Sequence, residues 1–306
     1  MRYMLNDPDI QPLALNDGTY HWNGLSKLGT TWDVYHGDAA FVLEQLSKVM
    51  SKTFNCVITS PPYYWLRDYG VEGQIGHEKT IDRYVNAISD VMDEVWNILS
   101  DDGVLFLNLG DTYYSGKGKS HGIDRKNGAR RFGLRAVDES GLGVPKKTII
   151  GIPWRVALEM ISRGWVLRSP IIWVKEKSLP ECVRDRPRRK YEYVFMFVKN
   201  RYYYFNKDPI KGEEDVWHIP DKPNSLSRGK HTAAFPDKLV QRCLDVGCPE
   251  GGSVLDPFAG SGTTMRVAVE SGRSATGIDL SRDYCNYMVK VLSELDEERQ
   301  CTFADL

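Results

Sequence analysis

Short apolar runs and stretches of helical spacing take turns along most of this chain, and that rhythm predicts its elements. Asp33-Val34-Tyr35-His36 reads as a short strand, Gly37-Asp38 as a turn, and Ala39 to Met50 as an amphipathic helix turning Phe41, Val42, Leu43 and Leu46 inward. Phe54 to Thr59 is a compact apolar strand that stops at Pro61-Pro62, because proline lacks the N–H that a buried strand needs. Ile81 to Leu99 predicts a long helix with Tyr84, Ile88, Val91, Met92 and Val95 on one face, followed by a turn at Gly103 and a buried strand at Val104 to Leu109. Strand, turn and helix repeated in this way predict an α/β fold with a doubly wound, mostly parallel sheet.

The rhythm breaks twice. Tyr113 to Lys147 is Gly-rich and basic without an apolar period, so it reads as a long loop or insertion, a length that compact domains reserve for functional or disordered segments. A helix follows at Pro153 to Arg163. Trp165 to Val174 and Tyr191 to Val198 are then two strands with no helix between them, which predicts an antiparallel pair at one end of the sheet. Lys207 to Lys230 is irregular. Regular pattern resumes with a helix at Pro236 to Val246, a strand at Ser253 to Leu255, a Gly-rich turn, a helix at Thr263 to Ser271, a strand at Ser274 to Ile278 and a terminal helix at Asp283 to Leu295. The expected organisation is an irregular, polar extension over 1–32 and one domain over 33–306.

Composition adds limits. No run approaches the roughly 20 apolar residues of a membrane span, and the polar N-terminus lacks a signal-peptide core, so a cytoplasmic protein is expected. The six cysteines include no Cys-x-x-Cys pair and no His at zinc-ligand spacing, so neither a disulfide framework nor a metal site is expected. The net charge of −1 hides a strong asymmetry. Nine Lys/Arg fall between Ser115 and Lys147, among them Arg130, Arg131, Arg135 and Lys146, and a second basic stretch from Lys175 to Lys190 contains Arg186 and Arg188. Such runs are commonly solvated faces, but these two flank the candidate site and suit phosphate contacts.

Two motifs carry chemistry. Asp256-Pro257-Phe258-Ala259-Gly260-Ser261-Gly262-Thr263-Thr264 ends a strand in an acid, turns on glycines and starts a helix. Glycines there admit a ligand close to the backbone, and a helix start offers N–H groups. Asp279, one strand–helix unit later, stands where nucleoside-binding sheets hold a ribose diol. Without a Gly-Lys-Ser/Thr sequence, the loop is not a nucleotide phosphate loop of the Walker type. The second motif, Ser60-Pro61-Pro62-Tyr63, leaves a stiffened aromatic beside a hydroxyl and fixed carbonyls, which suits a flat heteroaromatic ring.

Together the motifs resemble the DNA amino-methyltransferase family, in which Asp-Pro-Phe-x-Gly-x-Gly-Thr-Thr binds S-adenosylmethionine and Ser/Asp/Asn-Pro-Pro-Tyr accepts the target base. Their order, catalytic motif first, resembles the circularly permuted β group. Tyr35-His36-Gly37-Asp38-Ala39 resembles the segment reaching the cofactor's adenine, and His231 to Pro236, with Phe235, the one lining its methionine end. The resemblance covers about 33 to 290. It implies Ser60, Pro61, Pro62 and Tyr63 as catalytic residues. It implies Asp38, Phe235, Asp256, Pro257, Phe258, Gly260, Gly262, Thr263, Thr264 and Asp279 as cofactor residues. The implied reaction is methylation of an exocyclic amine on a base flipped out of double-stranded DNA, with Tyr63 stacking on the base and Tyr64 and Trp65 completing the slot. Ser-Pro-Pro-Tyr leans towards cytosine N4. Adenine N6 remains the alternative, followed by RNA or protein amide methylation and an inactive nucleic-acid-binding relative. A companion restriction endonuclease is compatible with the resemblance. Residues 206–230 sit where the β group reads its DNA site but are few, so the 113–147 insertion, with Arg130, Arg131 and Arg135, is expected to share the grip on DNA.

Overall fold

The computed structural model describes residues 13–14, 19–50, 52–66, 68–116, 136–137, 141–175, 183–212, 214–220 and 236–295. Among the described residues ten strands form one mixed sheet, numbered along the chain as β1 (Leu13–Ala14), β2 (Tyr20–Leu25), β3 (Thr31–His36), β4 (Phe54–Thr59), β5 (Leu99–Leu109), β6 (Val166–Val174), β7 (Tyr191–Val198), β8 (Val216–His218), β9 (Ser253–Asp256) and β10 (Ser274–Asp279). Their spatial order is β1-β2-β3-β10-β9-β4-β5-β7-β6-β8. The central run from β3 through β10, β9 and β4 to β5 is parallel, and β7 lies antiparallel to both β5 and β6.

Strand alternation divides the core in two. Cys56, Ile58, Val104 and Phe106 point to one face, covered by α4 (Asp237–Gly247), α5 (Thr263–Glu270) and α6 (Arg282–Ser293). Phe54, Val57, Leu105 and Leu107 point to the other, beneath α1 (Ala39–Ser47), α2 (Ile81–Ile98) and α3 (Ile152–Ser162). Both faces are buried, which is why the central strands read as continuous apolar runs rather than alternating ones. Among the described residues no helix is long and apolar enough to cross a membrane.

Four expectations change. Phe41, expected to turn inward from α1, is exposed, while Val42, Leu43 and Leu46 are buried. Residues 20–25, assigned to an irregular extension, form β2, paired antiparallel with β3 from Tyr20↔His36 to Leu25↔Thr31. Only Trp22 of that strand is buried, so its sequence carries no apolar alternation. Its hairpin is closed instead by Ser26 and Thr30, whose hydroxyls are 2.7 Å apart. Gly103, read as a turn, lies inside β5 at a bulge, where the partner of β4 jumps from Leu99 to Val104 as β4 advances from Phe54 to Cys56. The antiparallel pair is not the sheet's last element, because β8, drawn from the segment read as irregular, adds to β6 in parallel. Part of that segment, 213 and 221–230, lies outside the described residues.

Candidate active site

Parallel strands deliver their C-terminal ends to one edge of a sheet, where α/β folds bind ligands. Here that edge gathers Thr59 of β4, Leu109 of β5, Asp256 of β9 and Asp279 of β10. Because β7 runs the other way, its first residues reach the same edge, with Tyr193 opposite Leu109. A cleft of about 660 Å³, including its open mouth, lies there. Asp38, Ser60, Pro62, Pro257, Phe258, Gly260 and Asp279 line it, so the two motifs share one cavity.

The cofactor half is built around two carboxylates with different tasks. Asp279 accepts the Ser281 N–H at 2.7 Å and the Gly260 N–H at 2.8 Å, which ties the glycine loop to the end of β10. Burial pushes its pKa up to about 6, with the neighbouring Asp256 adding to the shift and the two N–H groups opposing it. Asp256, only 2% exposed, faces inward and does not line the cleft. It accepts the Thr59 hydroxyl at 2.6 Å, the Thr264 hydroxyl at 2.7 Å and the Phe258 N–H at 3.1 Å. Burial raises it to about 6 as well, against those three donors. Asp256 is thus a buckle joining β4, the glycine loop and α5.

Gly262, Thr263 and Thr264 likewise stand behind the wall rather than in it. Gly262 caps α5 at φ +76°, and a Cβ there would lie 2.6 Å from Met288, so the glycine serves helix packing. Asp38 does line the cleft while its carboxylate caps α1 through the Phe41 N–H at 3.0 Å. Phe235 lies outside the described residues.

Sequence reasoning missed much of the remaining lining. Leu280, Ser281 and Tyr284 follow Asp279, and Tyr69, Val71, Gly73, Gln74 and Ile75 come from the loop after the Pro-Pro corner. That loop turns on Gly70, Gly73 and Gly76, all at positive φ, and the Trp65 N–H returns to the Gly76 carbonyl at 2.8 Å. The glycine spacing was its one sequence signal. An acid at a strand end for a diol, a backbone-lined turn and apolar walls from Phe258, Leu280 and Tyr284 together fit S-adenosylmethionine, the group implied by the sequence resemblance.

In the base half, Ser60 and Pro62 reach the cleft while Tyr63 is braced behind them. The Tyr63 hydroxyl donates to Glu192 at 2.8 Å and lies 3.1 Å from Asn108 Oδ1. Its ring packs on Gly110, where a Cβ would come within 2.4 Å. Burial, followed by the charge of Glu192, pushes the Tyr63 hydroxyl well above its ordinary pKa, so it stays protonated. The Pro62 carbonyl already accepts from Tyr84 at 2.8 Å.

The two aromatics expected to extend the slot divide. Tyr64 is a core residue, 1% exposed and tilted against Tyr84. Trp65 stacks on His77 at 4.7 Å and donates to the Glu78 carbonyl. Glu192 and Asn108 were missed altogether, and Lys175 was read only as the start of a basic stretch; an acid between tyrosines at the start of an apolar strand was the available hint.

Parts of the two basic stretches meet beside this edge. Lys147 pairs with Asp185 at 2.6 Å, and the Arg186 guanidinium lies 3.8 Å from the Tyr113 ring centroid. Lys146 and Arg188 are exposed. Arg130, Arg131 and Arg135 lie outside the described residues.

A cleft with a strand-end carboxylate, opening beside a Ser-Pro-Pro-Tyr corner on a mixed α/β sheet, defines an enzyme of the cofactor-dependent methyltransferase class. Comparison with known proteins narrows this. The DNA methylase family model for N6 and N4 methyltransferases matches residues 54–290. Type II methyltransferase M.Cfr9I of Citrobacter freundii is 37% identical over 295 residues, covering 94% of this chain and 91% of the relative. Type II methyltransferase M.SmaI of Serratia marcescens is 41% identical over 261 residues, covering 82% and 87%. The chain belongs to this DNA methylase family. Among solved structures, the cytosine-N4-specific PvuII DNA methyltransferase shares the fold at a TM-score of 0.64 and 20% identity, over 85% of this chain and 86% of that one. A putative DNA modification methylase of Thermus thermophilus, complexed with S-adenosyl-L-methionine, does so at 0.58 and 23%, over 85% and 94%.

Proposed function

We propose that this protein transfers a methyl group from S-adenosylmethionine to the N4 amino group of a cytosine flipped out of double-stranded DNA. The observation that carries the reading is the placement of Ser60 in the same cleft as Asp279 and Gly260, with Tyr63 braced behind it. The cytosine-N4-specific PvuII relative in fold supports the choice of base. When bound, the cofactor supplies a sulfonium methyl, whose carbon–sulfur bond breaks with its electron pair on sulfur as the amino nitrogen takes the methyl and sheds a proton to water.

The chain's own residues position and polarise. An exocyclic amine is a weak nucleophile because its lone pair is delocalised into the ring. Accepting its N–H protons, at Ser60 Oγ and the Pro61 carbonyl, pulls electron density back onto nitrogen. Asp279 holds the ribose hydroxyls, Gly260 lets the cofactor approach the backbone, and Asp38 and Tyr284 bound the adenine end. With both partners held in line, most of the rate comes from orientation. The Tyr63 ring offers the base a stacking face, worth about 1–3 kcal/mol against a flipping cost of a few kcal/mol. Lys146, Arg186 and Arg188, with Arg130, Arg131 and Arg135 of the insertion, contact DNA phosphates or guanine edges. The Type II names of the relatives support a place in a restriction–modification system, with an endonuclease of the same site as companion.

Unmodified DNA is methylated with the protein and cofactor, digested to nucleosides and analysed by mass spectrometry. N4-methyl-2′-deoxycytidine is the expected product. N6-methyl-2′-deoxyadenosine in its place refutes the choice of base, and an unmarked digest refutes the reading.

A further inference from the structure

We infer that Glu192 is a positioning residue that sets the direction of the hydrogen bonds ending at Ser60, so that the Ser60 hydroxyl meets the target base as an acceptor; this rests on the amino-transfer reading above. Ser60 is neutral, and a hydroxyl can donate as readily as accept. Left to rotate, it would receive a base carrying an oxo group as well as one carrying an amine.

The residues behind it remove that choice. Tyr63 has one hydroxyl proton and two acceptors in reach, Glu192 Oε2 at 2.8 Å and Asn108 Oδ1 at 3.1 Å. The nearer, anionic oxygen takes it. Asn108 is directed as well: its Nδ2 donates to the Tyr193 carbonyl at 3.1 Å and to Glu192 Oε2 at 3.3 Å, which turns Oδ1 towards Tyr63 and Ser60. Ser60 Oγ therefore faces two oxygens, Tyr63 Oη and Asn108 Oδ1, each at 3.3 Å, and each is placed to receive its proton. With that proton turned inward, the Ser60 lone pairs face the cleft. An amino N–H finds an acceptor there, whereas a carbonyl oxygen meets lone pair on lone pair. Lys175 completes the device by holding Glu192 Oε1 at 2.5 Å, which leaves Oε2 for Tyr63 and Asn108. The three strands concerned, β5, β7 and β6, are neighbours in the sheet, so the chain of bonds rests on rigid elements.

The test is a binding ratio. Duplexes carrying the protein's own modification site, mapped by sequencing the methylated product, hold the target base opposite an abasic position, so that pairing strength does not enter. The base is either intact or has oxo in place of amino: uracil for cytosine, or hypoxanthine if adenine is the target. Affinities are read by fluorescence anisotropy with S-adenosylhomocysteine present. The wild type should prefer the amino base by about tenfold or more, the cost of an unmet buried hydrogen-bonding group.

In Glu192→Gln, Lys175 draws the amide oxygen and the NH2 faces Tyr63. The Tyr63 proton then turns to Asn108 Oδ1 or to Ser60 Oγ, so the Ser60 proton loses its fixed inward direction, and the preference should fall to within about threefold. In Lys175→Met/Glu192→Gln the amide is free to turn its oxygen to Tyr63, and the preference should return. An unchanged ratio in E192Q overturns the inference, and so does a loss that the double variant does not repair. Thermal unfolding and cofactor affinity identify a variant that has failed to fold, and the double variant, with its ion pair removed as a unit, then carries the comparison. A wild type that leaves no methyl mark defeats the underlying reading, whereas a marked base with an unaltered ratio defeats only this inference.

Discussion

Replacing Asp256 with Asn tests whether the buckle behind the cleft is a strained carboxylate. Asp256 is almost fully buried and its pKa stands at about 6 against an ordinary 3.8, because desolvation outweighs three hydrogen-bond donors. A folded-state pKa above the unfolded one means that the folded protein binds the proton more tightly. The group's contribution to stability is therefore fully present below about pH 3.8 and is lost as pH rises through about 6. Integrated between about pH 4.5 and pH 7.5, that shift is worth about 2 kcal/mol. Asn carries no charge at any of these pH values, so Asp256→Asn removes the dependence. It also presents an NH2 to hydroxyls that now donate to a carboxylate, so the variant is less stable throughout. Urea unfolding across this range should show the wild type's advantage over Asp256→Asn growing by about 2 kcal/mol as pH falls. An advantage independent of pH, or one that grows as pH rises, refutes the reasoning.

Four further outcomes follow from the site. Asp279→Ala should weaken S-adenosylmethionine binding by about tenfold or more in calorimetry, since it removes the carboxylate proposed to hold the ribose diol and unties Gly260. In the wild type that affinity should fall as pH drops through about 6, where Asp279 takes a proton. Gly110→Ala pushes a Cβ into the Tyr63 ring, so single-turnover methyl transfer should slow by about 10²-fold while cofactor affinity holds; an unchanged rate would show that the ring's position is unimportant. Alanine at Lys146, Arg186 and Arg188 together should reduce the salt slope of DNA binding by about 2–3, and an unaltered slope would remove these residues from the DNA face.

The two motifs were legible because each is a local instruction. Pro61-Pro62 ends a strand by removing N–H donors, and glycines near Gly260 and Gly262 permit positive φ, wherever the segment lies in space. The helices were legible for a similar reason, since a buried stripe on α2 repeats every turn. β2 was not, because a strand with a single buried residue leaves no period to read. The division of labour among the cofactor residues was also hidden. Asp256 and Asp279 both end strands, but only the neighbouring strands decide that the first turns inward to Thr59 and Thr264 while the second borders the cleft.

By itself, then, the sequence determined the alternating α/β architecture, the family resemblance and the location of the Ser-Pro-Pro-Tyr corner. Residue type and spacing encode backbone preferences, and these act over a few residues. Only the tertiary structure decided what stands behind that corner. Ser60, Asn108 and Glu192 are far apart along the chain and meet because β4, β5 and β7 are neighbours, with β7 running antiparallel so that its start arrives at the ends of the others. Strand order and direction follow from how the whole core packs, and no short stretch of sequence records them.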